Sequence, residues 1–276
     1  DKKLIAAELA PPFGADDKKL LEAAHMLKGL GVDVLTFPDS PSGRTRIDSV
    51  LMAQKVKNVT GFEVMPHVCC RDKNAIAVRS TFLGASINDI NNFLIITGDP
   101  IPVMARQVVK SVFNFDSVGL MRIADEMNSE ALKDSPLTYG GAINQSRRRI
   151  ESEIKRVQKK MEAGAEFFLT QPVFTAEDAE RLRRVKEETG ARILCGIMPL
   201  VSRKNALFMK NEISGVNVTD EVIERYPENA DREDGENVGV ELAKEMIAAT
   251  RDFADGYYFS FPFNRTYLLK RIIQEV

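Results

Sequence analysis

Eight short apolar runs alternate with longer amphipathic segments along the whole chain. Runs of this length, rich in Val, Ile, Phe and Leu, are typical of buried strands, and the segments between them have helical periodicity. Parallel strands need such crossovers, and eight strands close a barrel. The sequence therefore predicts an α/β fold, a (β/α)8 TIM barrel. The predicted strands cover residues 4–8, 33–37, 62–68, 92–97, 137–143, 166–171, 192–198 and 256–261.

An open, doubly wound sheet is the main alternative for this alternation. That fold usually carries a glycine-rich dinucleotide-binding turn after its first strand. Here residues 9–14 read LAPPFG, which lacks that fingerprint. The barrel is therefore the preferred architecture.

Glycines and capping residues mark where several helices begin or end. Gly31 is placed to end the first helix and Gly164 the fifth, because glycine readily adopts the left-handed conformation that closes helices. Thr175, followed by acidic residues, predicts the start of the sixth helix. The fifth helix is predicted over residues 145–162.

The segment between the seventh and eighth strands, residues 200–255, is longer than one crossover helix requires. It contains a stretch dense in Glu, Asp and Asn, residues 226–237. We predict an extra helix and loop over the barrel mouth, within a single domain that spans residues 1–276. A chain of this length can bury one large core.

The net charge of −2 disfavours nonspecific electrostatic binding to nucleic acid or to an anionic membrane. No apolar run is long enough to span a bilayer, and the N-terminus lacks the regions of a signal peptide, so we expect a cytoplasmic protein. The first predicted strand begins as early as Leu4. The chain is accordingly either a small enzyme or the C-terminal module of a longer polypeptide.

Three cysteines are too few and too irregular for a disulfide framework. Cys69 and Cys70 are adjacent, so a bridge between them would be strained. These two, together with His67 and Cys195, could be imagined as a zinc site, but their spacing matches none of the usual paired patterns. We prefer buried thiols near a strand end and predict no metal.

Polar side chains follow the ends of predicted strands, where a barrel builds its active site. Glu8 ends the first strand; partly desolvated there, its carboxyl would have a raised pKa and could act as a general acid. Asp99 lies in a Gly-Asp-Pro turn after the fourth strand, and His67 ends the third. The ordinary explanations for these residues are a surface carboxylate, a turn residue and a structural histidine. His25, on the amphipathic first helix, is interpreted as structural.

The fifth helix carries an unusual charge pattern. Arg149, Glu153, Arg156 and Lys160 recur at helical spacing and share one face, with Lys159 beside them. The pattern alone favours a solvated face with intrahelical ion pairs. Contact with a phosphate-bearing ligand, for which Arg and Lys are suited, is the alternative.

Taken together, these segments resemble the methylenetetrahydrofolate reductase family. That family folds as a (β/α) barrel and binds FAD without a Rossmann motif. It reduces 5,10-methylenetetrahydrofolate to 5-methyltetrahydrofolate, usually with NADH or NADPH as the electron donor. The order and spacing of the segments over the whole chain make the match specific. They are ELAPP at 8–12, HVCCRDKN at 67–74, GDP at 98–100, AGAE at 163–166, FLTQ at 168–171, GIMP at 196–199 and NR at 264–265.

The resemblance assigns roles residue by residue. Glu8 matches the general acid that protonates N10, so that the methylene bridge opens to an iminium ion. Asp99 matches the aspartate that stabilises this cation and tunes the flavin. The substrate-binding residues implied are Gln171, Asn205 and Arg265. The flavin contacts implied are Thr36, His67, Thr97, Gly98, Asp99, Glu153, Arg156, Lys159 and Lys160. The resemblance therefore favours the second interpretation of the fifth helix, in which its charged face binds a ligand instead of facing solvent.

Some positions depart from the family pattern. Thr97 stands where many relatives have arginine, which removes a cation from the flavin site, and Arg156 replaces a commonly uncharged residue. Residues 39–44 look more like members fused behind a homocysteine methyltransferase module, which implies such a module, fused or associated, as a partner. A homo-oligomer is also expected.

Two other functions compete with the flavoenzyme. One is a non-catalytic barrel subunit, a folate- or partner-binding scaffold that has lost flavin chemistry. The other is a barrel aldolase or phosphate-site enzyme without flavin. The presence of both Glu8 and Asp99 disfavours the scaffold, and the lack of a clear Schiff-base lysine motif disfavours the aldolase.

Overall fold

The computed structural model describes residues 2–213 and 215–276. Eight parallel strands form a closed barrel in chain order, and the last strand pairs with the first. The predicted TIM barrel is therefore confirmed. The strands are β1 (Leu4–Glu8), β2 (Val34–Phe37), β3 (Glu63–Cys69), β4 (Asn92–Ile96), β5 (Thr138–Ile143), β6 (Phe167–Pro172), β7 (Ile193–Ile197) and β8 (Gly256–Phe259).

Helices connect the strands on the outside of the barrel. Their apolar sides pack against the outward-facing strand residues in one continuous core. In the described residues they are α1 (Lys18–Lys28), α2 (Ser49–Thr60), α3 (Ala75–Ser86), α4 (Ser117–Ser129), α5 (Ile150–Glu162), α6 (Ala176–Thr189), α7 (Arg203–Glu212), α8 (Asp220–Glu224), α9 (Arg232–Thr250) and α10 (Leu269–Ile272).

Two predicted helix limits were wrong. The first helix ends at Lys28, where the N–H of Gly29 bonds back to the last turn, and the left-handed Gly31 (φ 78°) follows in the turn before β2. The fifth helix begins only at Ile150. The turn before it is held by a side chain of that helix, since Glu153 accepts a hydrogen bond from the N–H of Asn144 at 2.9 Å.

Two other limits are confirmed. Gly164 (φ 91°) follows the end of α5, where the backbone turns toward β6. The Thr175 hydroxyl caps α6 by accepting a hydrogen bond from the N–H of Asp178.

Apolar side chains also fill the inside of the barrel. The buried interior cluster consists of Ala6, Met65, Leu94, Leu169 and Leu194. The partly buried side chains packed on it are Val34, Ile96, Phe167 and Tyr258. Because this plug closes the barrel axis, the open space near the predicted site residues lies at the carboxyl ends of the strands.

In the described residues, the connection from β7 to β8 holds three helices. The last of them, α9, packs on β7 as the crossover, while α7 and α8 are additional. The polar stretch at residues 226–237 is a turn followed by the start of α9. Two glycines let α9 approach the chain after β7: a Cβ on Gly239 would stand 1.8 Å from the carbonyl oxygen of Leu200, and one on Gly235 would stand 2.4 Å from that of Val201.

None of the helices in the described residues combines the length and apolar character needed to cross a membrane.

We expect Gly239→Ala to lower the free energy of unfolding by about 1–3 kcal/mol or more, because the added methyl meets backbone that cannot move aside. Gly84→Ala in α3 is the matched control. A Cβ there meets nothing within 4 Å, so helix propensity should raise stability by up to about 1 kcal/mol. Urea unfolding of both variants measures this, and equal effects would mean that α9 does not depend on the close approach.

Candidate active site

The predicted site residues converge on the mouth of the barrel. Glu8 is the last residue of β1 and lies opposite Thr36 on β2. His67 lies near the end of β3, Thr97 follows β4, and Gln171 is near the end of β6. The carboxyl ends of parallel strands share one end of a closed barrel, so these five residues lie at the same end of it.

Glu8 is partly buried in this mouth. The Tyr258 hydroxyl of β8 donates a hydrogen bond to Oε2 of Glu8. Burial raises the pKa of the Glu8 carboxyl, while Tyr258 and the positive charge of Arg46 oppose the rise. Arg46 is held in place, because Nη1 donates to the carbonyl oxygen of Pro11 at 2.6 Å and the guanidinium lies 3.8 Å from the centre of the Phe13 ring.

His67 and Thr36 carry polar atoms that the described protein leaves unpaired. Nε2 of His67 and Oγ1 of Thr36 are both buried without a hydrogen-bond partner among the described residues. Burial lowers the pKa of His67 to about 4, and Asp39 opposes this only partly. His67 is therefore neutral at pH 7. Buried polar atoms of this kind normally have partners, so Nε2 of His67 is available to a ligand, whereas the Thr36 hydroxyl also lies near that of Tyr258.

Asp99 is exposed at the rim, on a turn that two glycines shape. Gly98 (φ 94°) brings the turn against Cys69, where an added Cβ would lie 3.0 Å from the cysteine side chain. Gly43 (φ 63°) packs equally closely on Pro100. The N–H of Ser42 donates to Oδ2 of Asp99 at 2.6 Å, which fixes the carboxylate toward the β2–α2 loop.

A buried guanidinium that the sequence analysis missed ties these loops together. Arg71, only 1% exposed, donates to the backbone oxygens of Asp99 (3.3 Å) and Asp39 (3.4 Å) and pairs with Asp72. Lys73 Nζ donates to Oδ2 of Asp39 at 2.7 Å. The HVCCRDKN segment contained both cations, but their partners lie in other loops.

The cysteines are buried thiols, as predicted. Cys69, Cys70 and Cys195 are free, and burial raises the pKa of each to about 12. One group of possible metal ligands occurs in the described residues: Asp39, Cys69 and Asp72. Its carboxylates already accept hydrogen bonds from Lys73 and Arg71. This group is therefore a structural network.

A charged cavity of about 130 Å³ opens between β4, β5 and α5. Glu153 (2% exposed) and Lys160 (4% exposed) are buried in it, so this part of the α5 face is not solvated. Burial lowers the pKa of Lys160 to about 8, partly offset by Glu153. The described lining residues are Ile96, Thr97, Ser117, Ala142, Asn144, Arg147, Glu153, Arg156 and Lys160.

Arg147 is a cation of this cavity that the sequence analysis missed. Its Nε lies 2.7 Å from Oε2 of Glu153, closer than Arg156 at 3.7 Å. The RRR run at residues 147–149 was a signal for it, but helical spacing pointed to Arg149, which is exposed at the N-cap of α5. Lys159 is also exposed and is not among the described residues that line the cavity.

A second cavity, of about 530 Å³, extends from Glu8 to α7 and the chain after β8. Asn205 lines it, and Oδ1 of that residue accepts a hydrogen bond from the N–H of Val201 at 3.2 Å. Two exposed rings, Phe208 and Phe263, also belong to the described lining. Arg265 is not among the described lining residues. Its Nη1 lies 2.7 Å from Oε1 of Glu236, with which it forms an ion pair.

A further cavity of about 500 Å³ lies at the opposite end, among the first residues of the strands. None of the predicted site residues is among its described lining residues. The amino-terminal end of a barrel serves stability in known enzymes of this fold, so the chemistry is assigned to the mouth.

The geometry thus defines a class: a (β/α)8 barrel with a partly buried acid and a separate cationic cavity at its carboxyl-terminal end. The chain belongs to the methylenetetrahydrofolate reductase family, whose model matches residues 1–274.

Two relatives are both 5,10-methylenetetrahydrofolate reductases. That of Buchnera aphidicola subsp. Schizaphis graminum is 24% identical over 204 residues, 72% of this chain. That of Salmonella typhimurium is 24% identical over 208 residues, 73% of this chain. In each case the alignment covers 66% of the relative, slightly less than two thirds of its length.

A similar solved structure is a protein from Clostridium thermocellum that binds two copies of 5-methyl-5,6,7,8-tetrahydrofolic acid. It superposes with a TM-score of 0.72 at 16% identity, over 100% of this chain and 94% of that one. At this identity the likeness shows the fold.

The low pKa of His67 predicts a pH-dependent stability. In the unfolded chain the imidazole of His67 is protonated below about pH 6.5, whereas in the folded protein it is protonated only below about pH 4. The free energy of unfolding should therefore fall by roughly 2–3 kcal/mol between pH 7 and 4.5. His67→Gln should lack this component, whereas the exposed His25→Gln should keep it. Urea titrations at both pH values measure it; identical pH slopes in all three proteins would contradict the assignment.

Proposed function

We propose that this protein catalyses the flavin-dependent reduction of 5,10-methylenetetrahydrofolate to 5-methyltetrahydrofolate. The observation that carries the proposal is the partly buried carboxyl of Glu8, with its raised pKa, at the edge of the 530 Å³ cavity. Family membership supplies the reaction, and this carboxyl supplies the acid that the reaction needs.

The residues near β4 and α5 suit FAD. Lys160, Arg156 and Arg147 gather positive charge in one cavity, as the phosphates of a dinucleotide require. The unpaired Nε2 of His67 and the hydroxyl of Thr36 lie on neighbouring strands and can bond to the flavin ring. When bound, the flavin would supply the hydride that turns the methylene carbon into a methyl group.

Glu8 would start the reaction by giving its proton to N10 of the folate. The O–H bond of the carboxyl breaks, an N–H bond forms, and the electron pair of the breaking C–N bond stays on nitrogen. The raised pKa of Glu8 favours the protonated form that this step requires. The side chain of Asp99 at the rim would stabilise the iminium cation that is left.

The larger cavity would hold the rest of the folate. Asn205 and the Phe208 ring line it, and its size suits a small organic ligand. Gln171 would contact the substrate from β6. Arg265, now paired with Glu236, would bind the carboxylate tail by exchanging that partner.

NADH or NADPH is the proposed electron donor. The reduced, buried cysteines suit a cytoplasmic location, and a homocysteine methyltransferase module and a homo-oligomer remain part of the proposal.

A visible spectrum of the purified protein tests the proposal most simply. Bound flavin should give a yellow protein with two absorption bands. A colourless protein that binds folate would instead indicate a scaffold, and a colourless protein that cleaves a carbon–carbon bond an aldolase.

Replacing Arg156 and Lys160 together by alanine should release FAD, because each lost charged hydrogen bond to phosphate costs roughly 1.5–3 kcal/mol. Flavin retention after dialysis measures this, with circular dichroism to confirm folding. Lys155→Ala, exposed on the same helix, is the control. Lys159→Ala decides whether that exposed lysine contacts the cofactor. If the double variant retained all of its FAD, Arg156 and Lys160 would have a structural role only.

Glu8→Gln should leave flavin bound and still reducible by the native donor. The second half-reaction, from reduced flavin to methylenetetrahydrofolate, should slow by a factor on the order of 10²–10⁴, as expected for a lost general acid. Stopped-flow absorbance separates the two half-reactions. Normal folate reduction would show that the proton comes from another source.

Asp99→Asn should affect both half-reactions, because the carboxylate is proposed to act on flavin and folate. A change in the flavin potential together with slower folate reduction is expected. An effect on folate reduction alone would restrict Asp99 to the substrate.

A further inference from the structure

Glu8 shares its position with a tyrosine from the far end of the chain. Tyr258 lies on β8, in register with Ala6 of β1, and its ring packs on the interior cluster. From there its hydroxyl reaches the carboxyl and donates to Oε2. The contact exists only because the barrel closes between β8 and β1.

Two titratable groups act on Glu8 from the elements packed against β1. Tyr258 comes from β8, and Arg46 comes from the connection between β2 and α2. Thr36, opposite Glu8 on β2, carries no charge. Both groups favour the carboxylate, against the burial that favours the acid.

We propose that Tyr258, supported by Arg46, positions Glu8 and sets its strength as an acid. The hydrogen bond to Oε2 leaves Oε1 as the oxygen that carries the proton toward the cavity. The same bond strengthens once the proton has left, because a carboxylate is the better acceptor. This inference rests on the proposed function, in which Glu8 protonates the folate nitrogen.

Tyr258 itself does not compete as an acid. Burial and the adjacent carboxyl raise its pKa well above the usual value of 10, so its hydroxyl stays protonated. Without such a donor, burial would raise the pKa of Glu8 further and make it a weaker acid. Burial thus favours the protonated form of Glu8, while the hydrogen bond from Tyr258 favours release of the proton.

The test measures the pKa of Glu8 directly, in the full chain without folate. Isotope-labelled glutamate gives a carboxyl signal in ¹³C NMR that titrates with pH, and its loss in Glu8→Gln assigns it. Tyr258→Phe should raise that pKa by on the order of one pH unit. Tyr257→Phe is the matched control, because its hydroxyl donates to the carbonyl oxygen of Ile247 at 3.1 Å, away from Glu8. That control should leave the pKa of Glu8 unchanged.

Kinetics give the second readout. Folate reduction requires protonated Glu8, so the pH above which it declines should move upward with the pKa in Tyr258→Phe. At low pH the rate should fall severalfold, because the acid is weaker. If the wild-type protein reduces no folate, the proposed function fails, while the carboxyl titration still decides the role of Tyr258.

An equal pKa for Glu8 in the wild type and in Tyr258→Phe overturns the inference. Should Tyr258→Phe not fold, Arg46→Gln takes its place, since removing that charge should raise the same pKa. An unchanged Glu8 titration in Arg46→Gln would then refute the proposed control of acid strength.

Discussion

Closure of the barrel is the constraint on which the rest of the structure depends. Main-chain hydrogen bonds join each strand to the next, and those between β8 and β1 complete the ring. That last pairing unites residues 250 positions apart, Glu8 and Tyr258. It also fixes the carboxyl ends of all strands at one mouth.

Closure also determines the electrostatics, because the plugged interior keeps water away from the lower mouth. The same desolvation raises the pKa of Glu8 and lowers that of His67, and in both cases it favours the neutral form. Two ion pairs lie in the neighbouring loops: Arg71 with Asp72, and Lys73 with Asp39. The mouth thus combines a carboxyl of raised pKa and a neutral imidazole with fixed ion pairs.

The sequence predicted what depends on local pattern and failed where distant loops meet. Strand periodicity located all eight strands within a residue or two, since a buried parallel strand is a short apolar run whatever it pairs with. Glu8 and His67 were found because they end such runs. Tyr258 was missed because it lies within an apolar strand, where the pattern predicts a buried core residue. Arg46 and Arg71 were missed because their partners lie in other connections, which no spacing rule reveals.

The charged cavity shows how a departure from the family pattern can be balanced within the fold. The resemblance implies an arginine at the position of Thr97, and Thr97 lines the same cavity as Arg147, which lies there beside Lys160 and Arg156. Three cations against the single carboxylate of Glu153 leave an excess of two positive charges, which matches the two negative charges of a diphosphate. Under the proposed function, Arg147 thus replaces the missing arginine from a different strand connection. The charge required at this site is then a property of the whole cavity, so the identity of one residue after β4 is free to vary.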